Sequence, residues 1–368
     1  MHIGEKILQD IQNALKDKYS IYISQDDWKL FKKPLLFDNN GEIDRPTFEE
    51  RQKKSVDIIR QILDIHGKAD IVKFLGCLAN IEPRIQELQP RVRDHVVHAI
   101  NTFILGVYIL EKVIFPPFKG SRFDYPFMWK LCGPTHDLGY PIEIAHNIKR
   151  SFADEVNDIL KSLNSPSPRV DPELYPENLD KLCENYDASE IIQKRLTEWA
   201  LGIDIEEYYD WLRKKNRTDH GVVSALAQLK VIDALYYKIN PTRAYRDTNQ
   251  NGLNYNQKNF DLDIVSASSA LFIHNIDLNY DGFSNKIAFD ITPLAFLLFL
   301  CDTFQEWDRY SENRHVQHVH SGDDFDINCS HNSISLFVPE ELEQKVFAAL
   351  YQRLSGLLVR VNGRIAVS

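Results

Sequence analysis

Apolar residues recur at intervals of three and four along most of the chain, which is the spacing that gathers them on one face of an α-helix. Helices are predicted over 1–20, 47–65, 69–82, 92–113, 142–163, 189–201, 206–214, 219–237, 264–275 and 293–309. Between them, 117–130 carries no such stripe and is predicted to be a loop, as is 239–262, which is rich in Asn, Asp and Gln. The pattern therefore predicts a mainly α fold.

The pattern changes near the C-terminus. Residues 333–338 alternate apolar and polar side chains as a half-buried strand does, and 339–354 returns to the helical spacing. Two short β-type runs then flank Asn362-Gly363, a dipeptide typical of tight hairpin turns. We therefore expect three parts: a helical N-terminal leader packed on the core (1–84), a helical core (85–324) and a small α/β C-terminal appendage (325–368).

Composition narrows the class of protein. The chain has 368 residues with 43% hydrophobic residues and a net charge of -10, so it can bury a large core, and its charge argues against a general nucleic-acid surface. No signal-peptide pattern opens the chain, and the longest apolar run, 293–301, is too short to span a membrane. Five cysteines form no Cys-x-x-Cys pair. These features predict a cytoplasmic protein with reduced thiols and no membrane partner.

Several polar side chains stand where the pattern calls for apolar ones, and all are types that bind metals. They are His98, the adjacent pair His136-Asp137, His220, His274 and Asp302. A carboxylate in an apolar run is costly unless it is paired, and a metal ion is one partner that keeps it ionised. Each residue alone also has a purely structural explanation, since a buried histidine can be satisfied in the core and Asp302 can pair with Arg309. Taken together, the set favours a metal centre assembled from distant helices.

The order of these residues resembles the HD-domain metal-dependent phosphohydrolase superfamily over roughly 90–310. The matching segments include 93–98 (Arg-Asp-His-Val-Val-His) with Gly106 further along the same helix, and 135–141 (Thr-His-Asp-Leu-Gly-Tyr-Pro). They continue with 219–225 (Asp-His-Gly-Val-Val-Ser-Ala), 273–275 (Ile-His-Asn) and 300–307 (Leu-Cys-Asp-Thr-Phe-Gln-Glu-Trp). The resemblance implies an HD-domain-like helical bundle for the core, in agreement with the periodicity.

The resemblance also implies a ligand set. His98, His136, Asp137 and Asp302 would hold one metal, and His95 is the alternative to His98 because it follows the motif's arginine more closely. Gly106 lies eight residues after His98, as in many members of the family, and this favours His98.

His220 and His274 match the additional histidines of members that bind a second metal or a phosphate. They join Asp137 as the candidate catalytic residues. Imidazole and carboxylate ligands suit Mn, Fe, Zn, Co or Ni, so one or two divalent transition metals are the implied cofactor, with Mg as a further option.

Such a centre activates water for attack on phosphorus. The candidate substrate-binding residues are Arg93, Tyr140 and Arg309. In the family's deoxynucleoside triphosphate triphosphohydrolases, the His-Asp pair is usually followed by His, Pro and Phe-Gly-His, whereas this chain continues Tyr-Pro-Ile-Glu-Ile-Ala-His over 140–146. The expected substrate is therefore a broader class, a phosphate ester or anhydride of a nucleotide.

Two alternatives stay open at this stage. The chain could be a catalytically silent nucleotide-binding or regulatory module that keeps the helical fold, or a cyclic nucleotide phosphodiesterase. The expected partner is a phosphorylated small molecule in each case. The appendage is a candidate dimerisation or regulatory surface, so formation of a homo-oligomer is also left open.

Overall fold

The structure is a computed structural model that describes residues 1–18, 22, 42–43, 45–64, 76, 80, 94–114, 123–162, 177–183, 187–239, 249–250, 253–254, 260–311, 316–318 and 320–368. Helices dominate this part of the chain, which confirms the mainly α fold. They are α1 (Ile3–Lys18), α2 (Arg45–Asp64), α3 (His95–Ile109), α4 (Tyr125–Cys132), α5 (Tyr140–Ser162), α6 (Ala188–Glu198), α7 (Ile205–Lys215), α8 (His220–Ile239), α9 (Val265–His274), α10 (Pro293–Phe304) and α11 (Glu340–Arg353). The predicted helix over 69–82 lies almost entirely outside the described residues.

The strands are short and concentrate at the C-terminus. They are β1 (Glu42–Ile43), β2 (Asn249–Gln250), β3 (Leu253–Asn254), β4 (Ile287–Ala288), β5 (Tyr310–Ser311), β6 (Val316–His318), β7 (Asp326–Ser330), β8 (Ser333–Phe337), β9 (Leu354–Ser355), β10 (Leu358–Val361) and β11 (Arg364–Val367). One four-stranded sheet has the order β11-β10-β8-β7, with β8 and β10 parallel and joined through α11. The small α/β region predicted for the tail is thereby confirmed, with β7 as an additional strand.

The hairpin between β10 and β11 turns at the predicted dipeptide. Asn362 and Gly363 have φ values of 47° and 84°, both in the left-handed region that a two-residue turn of this kind requires. Asn362 also fixes the entry to α11, because its side-chain oxygen accepts a hydrogen bond from the Val338 N–H at 3.0 Å. A single residue thus ties the turn to the strand-to-helix junction.

Helix α3 lies at the centre of the helical core. Every residue from His95 to Ile109 is buried, and a π-helical turn (Leu110–Ile114) extends the helix. By length and composition His95–Val113 could cross a membrane, but 89% of its most apolar window is buried inside the protein. A helix that is apolar on all sides is one that other helices surround, and α1, α2, α4 and α10 contact this one.

Two sequence predictions are wrong at their boundaries. The predicted loop 117–130 contains α4, which begins where the Asp124 carboxylate accepts a hydrogen bond from the Phe127 N–H at 3.1 Å. This helix shows no polar face because all its residues are buried, so the periodicity did not reveal it. The helix predicted to reach Arg309 ends at Phe304, and Asp308 adopts a left-handed backbone with φ of 54°. Arg309 therefore follows the helix that carries Asp302 instead of lying on it.

The C-terminal sheet region is attached to the helical core at several points. β4 pairs in parallel with β9, so a segment between α9 and α10 hydrogen-bonds with the chain after α11. Arg353 at the end of α11 donates a hydrogen bond to the Asp277 carbonyl at 2.7 Å. On the opposite side, Lys6 of α1 contacts Asp326 of β7 at 2.5 Å. The division into leader, core and appendage stays a prediction about folding units.

Candidate metal centre

Helix ends bring the predicted ligands together. His136 and Asp137 follow α4 after a 3-10 turn (Gly133–Thr135), while His98 lies in α3 and Asp302 in α10. His220 is the first residue of α8, and His274 is the last residue of α9. Side chains from five helical segments, separated by up to about two hundred residues of sequence, therefore meet at one buried point.

The His-Asp turn is held tightly against α8. The Ser224 hydroxyl donates to the His136 carbonyl at 2.6 Å and accepts from the Gly139 N–H at 2.8 Å. A Cβ atom on Gly139 would lie 2.3 Å from the His220 carbonyl oxygen, so only glycine permits this approach. The close contact sets His220 beside Asp137.

Four donor atoms form the first set. The Asp302 Oδ1 atom lies 2.9 Å from His98 Nε2 and 3.6 Å from His136 Nε2. The Asp137 Oδ2 atom lies 3.5 Å from His136 Nε2 and 4.0 Å from His98 Nε2. The ligand atoms of His98, His136 and Asp137 lie close enough together to hold one ion. Asp302 is not part of that group, but its carboxylate lies against both of its histidines.

Hydrogen bonds fix which ring nitrogens face this set. His136 Nδ1 lies 2.8 Å from the Gly133 carbonyl, and His274 Nδ1 lies 2.6 Å from the Leu271 carbonyl. A carbonyl oxygen only accepts, so both Nδ1 atoms carry a hydrogen, and each Nε2 atom has a lone pair whenever its imidazole is neutral. Both Nε2 atoms are buried and have no hydrogen-bond partner. Buried acceptors without donors, next to carboxylates, fit a bound cation.

His98 is oriented in the same way by a side chain. Its Nδ1 atom contacts the Gln305 side-chain oxygen, while the Gln305 amide nitrogen donates to the Trp307 carbonyl at 2.8 Å. The amide is thereby turned so that its oxygen accepts from His98, which leaves the His98 Nε2 lone pair facing Asp302. The His98 Nε2 and Asp302 Oδ1 atoms lie at hydrogen-bonding distance, 2.9 Å, so either a proton or a metal cation must lie between them. The donor set therefore fits a divalent metal.

A second set uses the other oxygen of Asp137. His220 Nε2 lies 3.1 Å from Asp137 Oδ1, and the atoms of Asp137, His220 and His274 come close enough to hold an ion. On its far side, His220 Nδ1 lies 2.7 Å from Glu143 Oε2, which also accepts the His220 backbone N–H at 3.0 Å. Glu143 is a site residue that sequence reasoning missed, because a glutamate in the first turn of a helix is common and carries no signal of its own.

Most of these groups have the protonation state that a metal ligand needs. Burial opposes ionisation of Asp137 and Asp302, but the neighbouring histidines hold the pKa of each carboxyl well below its usual range. Burial lowers the pKa of His98, and it lowers that of His274 to about 4. For His136 and His220 burial also acts downward, but the nearby carboxylates raise the pKa of both. A metal would take the place of those protons, since ligating imidazoles are neutral.

His95 and Tyr140, two further predicted residues, lie beside this centre. His95 stacks on Tyr140 with ring centroids 3.4 Å apart, and Tyr140 meets His220 edge-on at 5.7 Å. Neither set of metal-competent groups found among the described residues includes His95 or Asp302, whereas His98 belongs to the first set, so the geometry favours His98 over His95. Arg309 lies close enough to lower the pKa of His98, after the larger effect of burial. Arg93 lies outside the described residues.

The chain matches no protein-family model, no curated protein and no solved structure. The resemblance to HD-domain phosphohydrolases therefore stays a prediction from the quoted motifs.

Proposed function

We propose that this protein is a metal-dependent phosphohydrolase of the HD-domain type that hydrolyses a phosphate ester or anhydride of a nucleotide. The observation that carries the proposal is that the Nε2 atoms of His136 and His274 are buried without a hydrogen-bond partner beside ionised carboxylates. A purely structural cluster would give those atoms hydrogen-bond partners, because a buried polar atom without one costs about 1–3 kcal/mol.

In this proposal His98, His136, Asp137 and Asp302 hold the first metal. The bound ion supplies Lewis acidity and a water of lowered pKa. The chain holds the ligand atoms rigidly: the Gly133 carbonyl fixes His136, Gln305 fixes His98, and Ser224 clamps the His-Asp turn. Burial of the ligands keeps bulk water away from the ligand atoms.

Asp137 joins the two sets, since its Oδ2 atom faces the first and its Oδ1 atom faces His220. Glu143 orients His220 from behind, as carboxylates often do for functional imidazoles. We assign His220 and His274 to a second metal or to a phosphoryl oxygen, beside the reacting phosphorus. Water oxygen forms the new bond to phosphorus, the bond to the leaving oxygen breaks, and that oxygen takes up a proton, so that ester and water give alcohol and phosphate.

The test combines metal analysis with a substrate screen on the full chain. We expect purified protein to carry a transition metal in at least equimolar amount, and to hydrolyse one or more nucleotides or cyclic nucleotides when Mn is supplied. Asp137→Ala should lose both metal and turnover while its far-UV circular dichroism stays unchanged. Asp210→Ala, at an exposed ion pair on α7, is the matched control and should keep both.

Absence of bound metal, with no nucleotide hydrolysed in the presence of Mn, would refute the proposal. Tight binding of metal and nucleotide without turnover would instead identify the catalytically silent module. Turnover confined to cyclic nucleotides would identify the phosphodiesterase.

A further inference from the structure

One buried carboxylate joins the ends of the two helices that carry the histidines of the second set. Asp219 lies directly before His220, the first residue of α8, and is only 3% exposed. Its Oδ1 atom accepts the Gly221 N–H at 2.7 Å, as the cap of a helix N-terminus does. The same oxygen accepts the side-chain amide of Asn275 at 3.1 Å. Asn275 directly follows His274, the last residue of α9, so this bond joins the start of α8 to the end of α9.

The other oxygen of Asp219 is held by a third helix. Asp219 Oδ2 accepts a hydrogen bond from the hydroxyl of Tyr208 in α7. The Tyr208 ring is itself fixed, because it packs against the Tyr280 ring with centroids 4.9 Å apart and lies nearly parallel to the Trp211 ring. Capping α8 needs one carboxylate oxygen and one backbone N–H. The further bonds from Tyr208 and Asn275 therefore fix the position of Asp219 relative to α7 and α9.

The two helix ends that Asp219 joins leave no room for a side chain between them. A Cβ atom on Gly221 would lie 2.9 Å from the Leu271 carbonyl oxygen and 3.1 Å from His274 Cε1, so it would push α8 away from α9. The Leu271 carbonyl is the group that orients His274. The His220 and His274 rings meet edge-on at this junction, with centroids 5.2 Å apart. The spacing of the two imidazoles therefore depends on how the two helices are joined.

Asn275 contacts the His220 ring as well as Asp219. A carboxylate only accepts hydrogen bonds, so the Asn275 atom that faces Asp219 is the amide nitrogen. This nitrogen also lies 3.1 Å from His220 Nδ1, the atom that Glu143 contacts at 2.7 Å. With two side chains against Nδ1, the ring directs its Nε2 atom at Asp137 Oδ1, 3.1 Å away.

The first set of donor atoms is supported elsewhere. Its histidines are oriented by the Gly133 carbonyl and by the Gln305 side chain. Neither of these contacts involves the residues that join α8 to α9. A change at Asp219 or Asn275 should therefore act on the second set and spare the first.

We propose that Asp219, Asn275 and Tyr208 are positioning residues for a second divalent metal ion. They hold the two histidines of the second set at the spacing at which these bind the ion together with Asp137, and the donor atoms of that set lie close enough together for one ion. This inference rests on the metal centre of the proposed function. It goes further by assigning the second set to a metal ion and by naming the residues that act through its histidines, and it concerns ion binding, whether or not hydrolysis follows.

The experiment titrates Mn²⁺ alone into the chelator-treated full chain by calorimetry. We expect two binding events in the unmodified protein, and His274→Ala identifies the one that belongs to the second set. Asn275→Ala should weaken that event about 10–100-fold and leave the other unchanged, because it removes a group that orients ligands. Asn279→Ala, which removes an exposed amide four residues further along the chain, is the control and should bind both ions normally.

Tyr208→Phe tests the same junction while keeping a packed ring in place. It removes only the hydroxyl that Asp219 accepts, so it should weaken the same event as Asn275→Ala. Tyr280→Phe is the matched control, because it removes a hydroxyl that has no hydrogen-bond partner among the described residues from the neighbouring ring, and it should leave both events unchanged. A purely structural role would lower the midpoint of urea unfolding in Asn275→Ala and Tyr208→Phe but leave both ion affinities unchanged, and that result would overturn the proposal.

The remaining outcomes separate this inference from the proposed function. A single binding event in the unmodified protein would overturn the inference and leave hydrolysis at one metal standing. Equal weakening of both events in Asn275→Ala would show a general disturbance of the centre and would also overturn the inference. Two bound ions, one of them dependent on Asn275 and Tyr208, in a protein that hydrolyses no nucleotide would uphold the inference and count against the proposed function.

Discussion

At the scale of single residues, the centre depends on how its imidazoles are turned as much as on where they lie. His136 and His274 are oriented by backbone carbonyls, which no side-chain substitution removes. His98 differs, since the group that orients it is the side chain of Gln305. Gln305 is completely buried and is itself fixed by the Trp307 carbonyl. It is therefore the position at which ligand orientation can be tested without touching a ligand.

Replacing this amide should weaken metal binding while leaving the ligands in place. In Gln305→Leu the His98 ring loses its acceptor and is free to turn, so we expect metal affinity to fall about 10–100-fold. Competition with a chromophoric chelator measures the affinity. Gln344→Leu, which replaces an exposed amide on α11, is the control and should bind metal normally. Equal affinities in the two variants would show that Gln305 has no role in orienting the ligand.

At the scale of elements, α4 shows what a hydrophobic pattern cannot reveal. Amphipathic helices such as α1 and α5 expose one polar face, so their spacing identifies them from sequence. All residues of α4 are buried, even Lys130, so its sequence reads as an apolar run with no period. The sequence therefore predicts a loop there, although Asp124 at the start of α4 is a typical N-cap.

Because Lys130 in this helix is buried, it should make the free energy of unfolding depend on pH. Burial lowers its pKa from 10.5 to about 8, against the opposing effect of Asp124. Below pH 8 the ammonium is charged in both folded and unfolded chains, and its burial destabilises the fold. Above pH 10.5 it is neutral in both and the penalty is gone. The free energy of unfolding should therefore rise between these two pH values.

Lys130→Met should remove the penalty. We expect the substitution to raise the free energy of unfolding by roughly 3 kcal/mol at pH 7, since each pKa unit corresponds to about 1.4 kcal/mol. The gain should disappear near pH 10.5. Urea denaturation at both pH values measures it, with Lys161→Met, an exposed position on α5, as the control that should show no gain. A gain of equal size at both pH values would mean that packing, and not charge, is responsible.

The same contrast between local and spatial information applies to the centre. The sequence predicts His98, His136, His274 and Asp302 because a polar ligand type interrupts or ends an apolar run, and it predicts His220 because that residue follows a helix cap. Glu143 was not found, because only the approach of α5 to the start of α8 shows that it faces His220. The choice between His95 and His98 likewise needed the rotation of α3 about its axis, which a spacing of three residues does not decide.

At the scale of the whole molecule, the connection between two ligand-bearing helices is supported by the C-terminal sheet region. The segment from α9 to α10 begins directly after His274 and contains Asp277, whose carbonyl accepts the Arg353 hydrogen bond. Arg353 is buried and also packs its guanidinium over the Phe283 ring at 4.6 Å. This segment further pairs with β9 through β4. Stability of the centre and of the C-terminal region should therefore be coupled.

Arg353→Met tests that coupling, because all five tryptophans precede residue 325 and report mainly on the rest of the chain, although Trp307 also contacts Phe325. Loss of the Asp277 contact should destabilise the fold by about 1–3 kcal/mol, so we expect the tryptophan fluorescence transition in urea to move to a lower midpoint. Arg364→Met removes an exposed arginine from the same region and should leave the midpoint unchanged. If the fluorescence midpoint also stays in place in Arg353→Met, the C-terminal region unfolds independently, as a separate appendage would, and His274 keeps its position without it.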